Sequence, residues 1–203
     1  MKTKNTLLVV LISLTLISLE LAWTRVFSAE FFYSFAFLIL SLAVLGLGMG
    51  ALAVRLVPVL SQKKSLPWLL VLTAIMSLAG PPLAFKVGID YSVLFHSWSM
   101  VGKFILTSFI LASTYFFGGA ALTSLFKQGH EDLPRLYMAD LMGAGLGVLL
   151  AVLTMNILGT PVAVFYCGLP VLIGALITIP RLFKILPVVL IGAMFFLGTQ
   201  ADT

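Results

Sequence analysis

The sequence predicts an all-α polytopic membrane protein, a bundle of seven transmembrane helices. Of its 203 residues, 61% are apolar and only 9% are charged, whereas a soluble domain carries roughly 25% charged residues. The mean hydropathy is +1.17. The apolar residues form runs long enough for a bilayer core, which takes about 20 residues per helix. This composition excludes a soluble enzyme, a disordered chain and a disulfide-rich secreted module, and we expect one transmembrane domain over residues 1–203.

Charged residues, glycines or prolines bound each apolar run and so limit the predicted spans. Glu20 and Arg25 interrupt the first span, Asp140 lies in the fifth, and 80–82 (Gly-Pro-Pro) is expected to break the third near its end. The seventh span is the shortest, and without it the bundle would have six. The predicted spans are residues 7–27, 31–54, 66–85, 104–126, 136–158, 162–179 and 185–197.

The lysines and arginines predict a cytoplasmic N-terminus, because basic side chains stay on that side of a membrane. Only Lys86 and Lys103 then fall outside, with Arg25 near the outer end of the first helix. The net charge of +5 therefore reflects orientation, and no nucleic-acid partner is predicted. A cleaved signal peptide is a poorer interpretation, since no small-x-small triplet follows the first apolar run. The nine inside cations are Lys2, Lys4, Arg55, Lys63, Lys64, Lys127, Arg135, Arg181 and Lys184.

A G-x-G-x-G pattern occurs in the second and fifth spans, offset by 97 residues. The outer glycines of each pattern share a helix face and permit close backbone approach in lipid, and the middle glycine points the other way. We therefore expect tight packing on two sides of each helix. The two spans run in opposite directions, as in an inverted repeat of spans one to three and four to six, although glycine is frequent in membrane helices in any case. These glycines are Gly46, Gly48, Gly50, Gly143, Gly145 and Gly147.

Two carboxylates lie inside predicted spans, where a charge costs about 2.5–3.5 kcal/mol unless it has a partner. Glu20 is roughly 20 Å into the bilayer at 1.5 Å per residue, with Trp23 and Thr24 as its helical neighbours. Asp140 shares a face with the glycines of the fifth span. Each carboxylate either binds a cation or bonds to a neighbouring helix. Arg25 is five residues from Glu20, on another face, and is more typical of an interfacial anchor.

No catalytic constellation is present in the sequence. His96 and His130 fall in loops on opposite sides of the membrane, so they cannot form one metal site. Cys167 is the single cysteine, which leaves no internal disulfide. We expect no catalytic residue, no metal and no cofactor in this chain.

Two segments together resemble the N-terminal membrane region of bacterial membrane-bound spermidine synthase-like proteins. These fuse a transporter-like membrane half to a polyamine aminopropyltransferase domain. The first segment is LELAWTRVFS at 19–28, with FFYSFAF at 31–37 and the glycine run after it, and the second is YMADLMGAGLG at 137–147. The resemblance implies a bacterial inner membrane location. It also implies candidate binding residues at Glu20, Trp23, Arg25 and Asp140.

The resemblance does not make this chain an aminopropyltransferase, because the strand-borne glycine loop of that catalytic domain is absent from the sequence. The favoured function is a membrane module that anchors or supplies a polyamine-type enzyme, in which the carboxylates contact a cationic amine. Seven spans would place a domain following Thr203 outside, whereas six would place it inside. The expected partners are the lipid bilayer and a soluble catalytic domain or partner subunit.

Two alternatives remain open at this point. The first is a small-solute or amine transporter that acts as a homodimer and is built on the inverted repeat. The second is a structural subunit of a membrane complex, in which the glycine faces are interfaces and the charges hold helices together.

Overall fold

The computed structural model describes residues 2–31, 33–88 and 97–201, except for the side chains of Lys2 and Ser34. Helices of membrane-spanning length and apolarity number seven in this part of the chain, which confirms the predicted all-α membrane bundle. Two short helices, α6 and α7, together form the sixth span. The loop residues Asp90, Tyr91 and His96 lie outside the described residues. The helices are α1 (Lys2–Glu30), α2 (Ser34–Leu56), α3 (Leu66–Val87), α4 (Trp98–Gln128), α5 (Leu133–Leu158), α6 (Thr160–Tyr166), α7 (Leu169–Thr178) and α8 (Ile185–Gln200).

The third span is not broken at 80–82, contrary to the expectation from its Gly-Pro-Pro sequence. Helix α3 continues through Pro81 and Pro82 to Val87 and ends at Gly88, whose left-handed φ of 60° suits glycine. Gly80 and Pro81 are buried, and Gly80 lies against the indole of Trp23. Packing therefore keeps the helix intact where local propensity would end it.

The sixth span is broken instead, although a continuous helix over 162–179 was expected. Helix α6 ends at Tyr166, and α7 begins at Leu169 after a turn at Cys167 and Gly168. Pro170 has no N–H to donate to the carbonyl four residues earlier, at Tyr166, which explains why the helix cannot continue smoothly. The buried Ser18 hydroxyl lies 3.0 Å from the Thr15 carbonyl oxygen of its own helix and 3.3 Å from the Cys167 carbonyl oxygen. Its one proton is therefore shared between α1 and the break.

Helix α1 lies along α5 with their backbones in direct contact, and glycines make this seam possible. A β-carbon on Gly143 would lie 2.5 Å from the Val10 carbonyl oxygen, and one on Gly147 would lie 2.6 Å from that of Leu14. The contacts advance four residues on each helix together, so the two helices run in parallel. Only glycine permits backbones to approach this closely.

A second seam of the same construction joins α2 to α4. A β-carbon on Gly46 would lie 2.7 Å from the Ala112 carbonyl oxygen, and one on Gly50 would overlap that of Phe116. Here too the contacts advance four residues on each helix. Each glycine helix, α2 or α5, thus packs on the first helix of the other half, which is the relation that an inverted repeat of three spans produces.

The middle glycines do not take part in helix packing, so the expectation of tight contact on two sides is wrong. A β-carbon on Gly48 or Gly145 would meet no atom within 4 Å in the described part of the structure. Both are exposed because two residues along a helix turn a side chain about 200° away from the seam. Each of α2 and α5 is therefore packed closely on one side and open on the other.

Hydrogen bonds show which helix ends lie together. On the N-terminal side of the bundle, the Lys4 ammonium donates to the Ile177 carbonyl at 3.2 Å, and the Gln128 amide donates to the Ser61 carbonyl at 3.1 Å. The loops carrying most of the basic residues adjoin these ends. At the opposite side, Lys103 donates to the Gly88 carbonyl at 3.2 Å.

Candidate functional site

Helix α1 carries the candidate site and packs against α2, α4, α5, α6 and α7. Ser13 and Glu20 are seven residues apart and so lie on one face of this helix, about 10 Å from each other along its axis. Asp140 of α5 joins this face. We call Ser13, Glu20 and Asp140 the acidic face of α1.

Asp140 is bound to α1 through Ser13, whose hydroxyl donates a hydrogen bond to a carboxylate oxygen of Asp140. Asp140 is partly buried and lies one turn before Gly143. The backbone contact between Gly143 and Val10 brings α5 near enough for this bond to form. The glycine seam therefore positions the first carboxylate of the face.

Glu20 is partly buried within the membrane-spanning part of α1, and its carboxylate makes no hydrogen bond or ion pair with any residue that the structure describes. Arg25 is exposed and does not pair with it. A carboxylate at this depth is costly unless a cation, a proton or a polar group accompanies it. Glu20 is thus the carboxylate on this face that has neither a counter-charge nor a hydrogen-bond donor among the described residues.

Trp23, three residues after Glu20 on α1, packs against Tyr115 of α4 in the core. Their rings form an edge-to-face pair with centroids 5.6 Å apart, and both side chains are almost completely buried. Neither the indole N–H of Trp23 nor the hydroxyl of Tyr115 has a hydrogen-bond partner within residues 2–31, 33–88 and 97–201.

Residues on two other helices contact the Trp23 ring. Tyr115 of α4 meets it edge-on, and Gly80 of α3 lies under its far edge, where a β-carbon would come within 3.2 Å of the indole. Tyr115 was not among the residues that the sequence singled out. No local signal marks it, since it meets Trp23 only when α1 and α4 pack together.

A cluster of polar side chains surrounds the break between α6 and α7. Ser18 donates to the Cys167 carbonyl, and the Cys167 thiol lies 3.6 Å from the Thr154 hydroxyl. Thr154 also donates to the Leu150 carbonyl at 2.7 Å within α5. These contacts give polar partners to a helix break inside the membrane, where lipid offers none.

A small polar pocket opens at the N-terminal end of the α1–α5 seam. Its volume is about 120 Å³, and Glu131 and Asp132 contribute two carboxylates to its lining. Leu136, one turn before Asp140, also lines it. The pocket therefore lies about one turn of α5 from Asp140.

A larger cavity lies elsewhere in the bundle. It is a cleft of about 580 Å³ between α2, α3 and α4, lined by apolar side chains and Ser113. No charged side chain lines this cleft, so it has no carboxylate that could bind a cation.

Taken together, the geometry groups Glu20, Trp23 and Asp140 along α1 and turns Arg25 away from them. Comparison of the chain with protein-family models, curated proteins and solved structures finds no match.

Proposed function

We propose that this chain is a multi-pass membrane module that binds an organic cation of the polyamine type on the acidic face of α1. The observation that carries the proposal is the Glu20 carboxylate, which lies in a membrane-spanning helix without a partner among the residues described. An ammonium ion would neutralise it, and a paired charge is far less costly in the membrane than an isolated one.

The spacing of the two carboxylates suits a cation with more than one amine. Glu20 and the Ser13–Asp140 pair lie about 10 Å apart along α1. A polyamine carries ammonium groups separated by short alkyl chains, which the apolar side chains between the carboxylates can contact. A single metal ion could not reach both carboxylates at this distance.

The charge distribution also bears on the location of the module. The distribution of basic residues favours a cytoplasmic N-terminal side, and with the family resemblance it favours a bacterial inner membrane. In that setting the module supplies or anchors a polyamine-type enzyme, carried by a soluble domain or a partner subunit.

Thermal unfolding of the purified protein in detergent tests the proposal. Spermidine should raise the Tm in a concentration-dependent manner, because a ligand that binds only the folded state stabilises it. Glu20→Gln and Asp140→Asn should each reduce the shift, while Glu30→Gln, which removes an exposed carboxylate at the end of α1, should leave it intact. An equal shift in all four proteins would overturn the assignment.

Transport is the second candidate, and two observations favour it. The glycine seams repeat between the two halves, and the sixth span is broken at Cys167 and Gly168. Inverted repeats and discontinuous helices are typical of secondary transporters, whose binding sites lie near the middle of the membrane. Uptake of labelled spermidine into proteoliposomes, above that of empty vesicles, would support transport, and a rate equal to that of empty vesicles would contradict it.

A further inference from the structure

We infer that the Glu20 carboxylate has a second, inward position, in which the Trp23 N–H and the Tyr115 hydroxyl donate hydrogen bonds to it. Tyr115 is then a positioning residue that competes with the bound amine for Glu20. The competition rests on the proposed function, whereas the inward position does not.

The first line of support is the pair of buried donors. Trp23 is 0% exposed and Tyr115 is 1% exposed, yet the indole N–H and the phenol hydroxyl lack hydrogen-bond partners among the described residues. Buried donors of this kind are nearly always satisfied in folded proteins, because leaving one unpaired is costly. The inward position gives both donors the same acceptor, the Glu20 carboxylate.

The second line of support is the reach of Glu20. Trp23 follows Glu20 by three residues, which places the two on neighbouring turns of one helix face. Long side chains in a helix lean toward its N-terminus, so the indole lies over the turn that contains Glu20. The centroids of the Tyr115 and Trp23 rings are 5.6 Å apart. In the inward position, the Glu20 side chain is rotated toward these two rings, and its carboxylate accepts from both.

The consequence is a balance between two positions of one carboxylate. In the inward position Glu20 is satisfied by the core, and in the outward position it is open to an amine. A ligand that binds one of two states has its apparent affinity reduced by the population of the other. Weakening the inward position should thus tighten amine binding.

The inward position is tested without any amine, by the ¹⁵N-indole NMR spectrum of the detergent-solubilised full chain. Trp23→Phe identifies the Trp23 signal among the three tryptophans. The signal should have the shift of a hydrogen-bonded indole and should move toward the unbonded value in Glu20→Leu, but not in the control Glu30→Leu. An identical Trp23 shift in wild type and Glu20→Leu would overturn the inference, because water would then be the acceptor.

The competition is tested by spermidine affinity in Tyr115→Phe, which keeps the aromatic ring and removes only the hydroxyl. Where the inward position predominates, affinity should rise by about tenfold or more when one charge-assisted hydrogen bond is lost. Unchanged or weaker binding would overturn the competition. If the wild-type protein binds no spermidine, the proposed function fails, and the indole signal still decides the inward position.

Discussion

The Ser13 hydroxyl donates a hydrogen bond to the Asp140 carboxylate, and this bond joins α1 to α5 within the membrane-spanning region. It lies one turn from the place where Gly143 touches the Val10 backbone. The close packing of the two helices and the placement of a carboxylate are therefore one feature of the fold. A change that separates the helices should also disturb the acidic face.

Replacing Ser13 by alanine should destabilise the protein, because the partly buried Asp140 loses its donor. Polar bonds between membrane helices contribute about 0.6 kcal/mol on average and about 1.7 kcal/mol at most. A double-mutant cycle of Ser13→Ala with Asp140→Leu, measured by unfolding in mixed detergent, should give a coupling energy in this range. Strict additivity would show that the bond contributes nothing to stability.

Two glycine substitutions on α5 test the contribution of the α1–α5 seam to stability. Gly143→Ala should lower the free energy of unfolding by about 1–3 kcal/mol, as overpacking does. The new methyl group would clash with backbone atoms, and no change of rotamer can relieve this clash. Gly145→Ala is the matched control two residues away, where the new methyl group meets open space. It should be neutral, or stabilising by up to about 1 kcal/mol through helix propensity. Unfolding of the two variants in the same detergent provides the comparison.

The same pair of substitutions on α2 tests the correspondence between the two seams. Gly50→Ala should cost about as much as Gly143→Ala, since a β-carbon there would overlap the Phe116 carbonyl. Gly48→Ala should behave like Gly145→Ala. A large cost at one seam and none at the other, in the same unfolding measurement, would contradict their structural equivalence.

The reactivity of the Cys167 thiol can be used to measure opening of the helix break, because Cys167 is the only cysteine in the chain and is buried. Ser18→Ala removes the hydroxyl that donates to the Cys167 carbonyl, so the break should open more often and the thiol should react faster with a maleimide. Thr15→Val is the control, since the Thr15 hydroxyl bonds to Leu11 within α1. Equal labelling rates in both variants would show that Ser18 does not hold the break closed.

Most of the fold follows from composition, because lipid leaves an apolar run few alternatives to a helix. Two proline-containing segments show the limit of local reasoning. The prolines at 81 and 82 are incorporated into α3, where Gly80 packs on Trp23, while Pro170 does mark a real break. Both look alike in the sequence. The difference comes from packing, which local sequence does not contain.

The acidic face could be predicted in part. Glu20 and Asp140 are conspicuous because charge is rare and costly in a membrane span. Ser13 and Tyr115 carry no such signal, since serine and tyrosine are ordinary residues of membrane helices. Their roles appear only once α5 and α4 are placed against α1.

The most direct test of the central claim is equilibrium dialysis of radiolabelled spermidine against the purified, detergent-solubilised chain. We predict saturable binding to the wild-type protein and to Glu30→Gln, and at least about tenfold weaker binding to Glu20→Gln, as expected when a charged partner is lost from a partly buried pair. Spermidine binding of equal affinity in the wild type and Glu20→Gln, or no saturable binding to either, would contradict the assignment of Glu20 as the cation site.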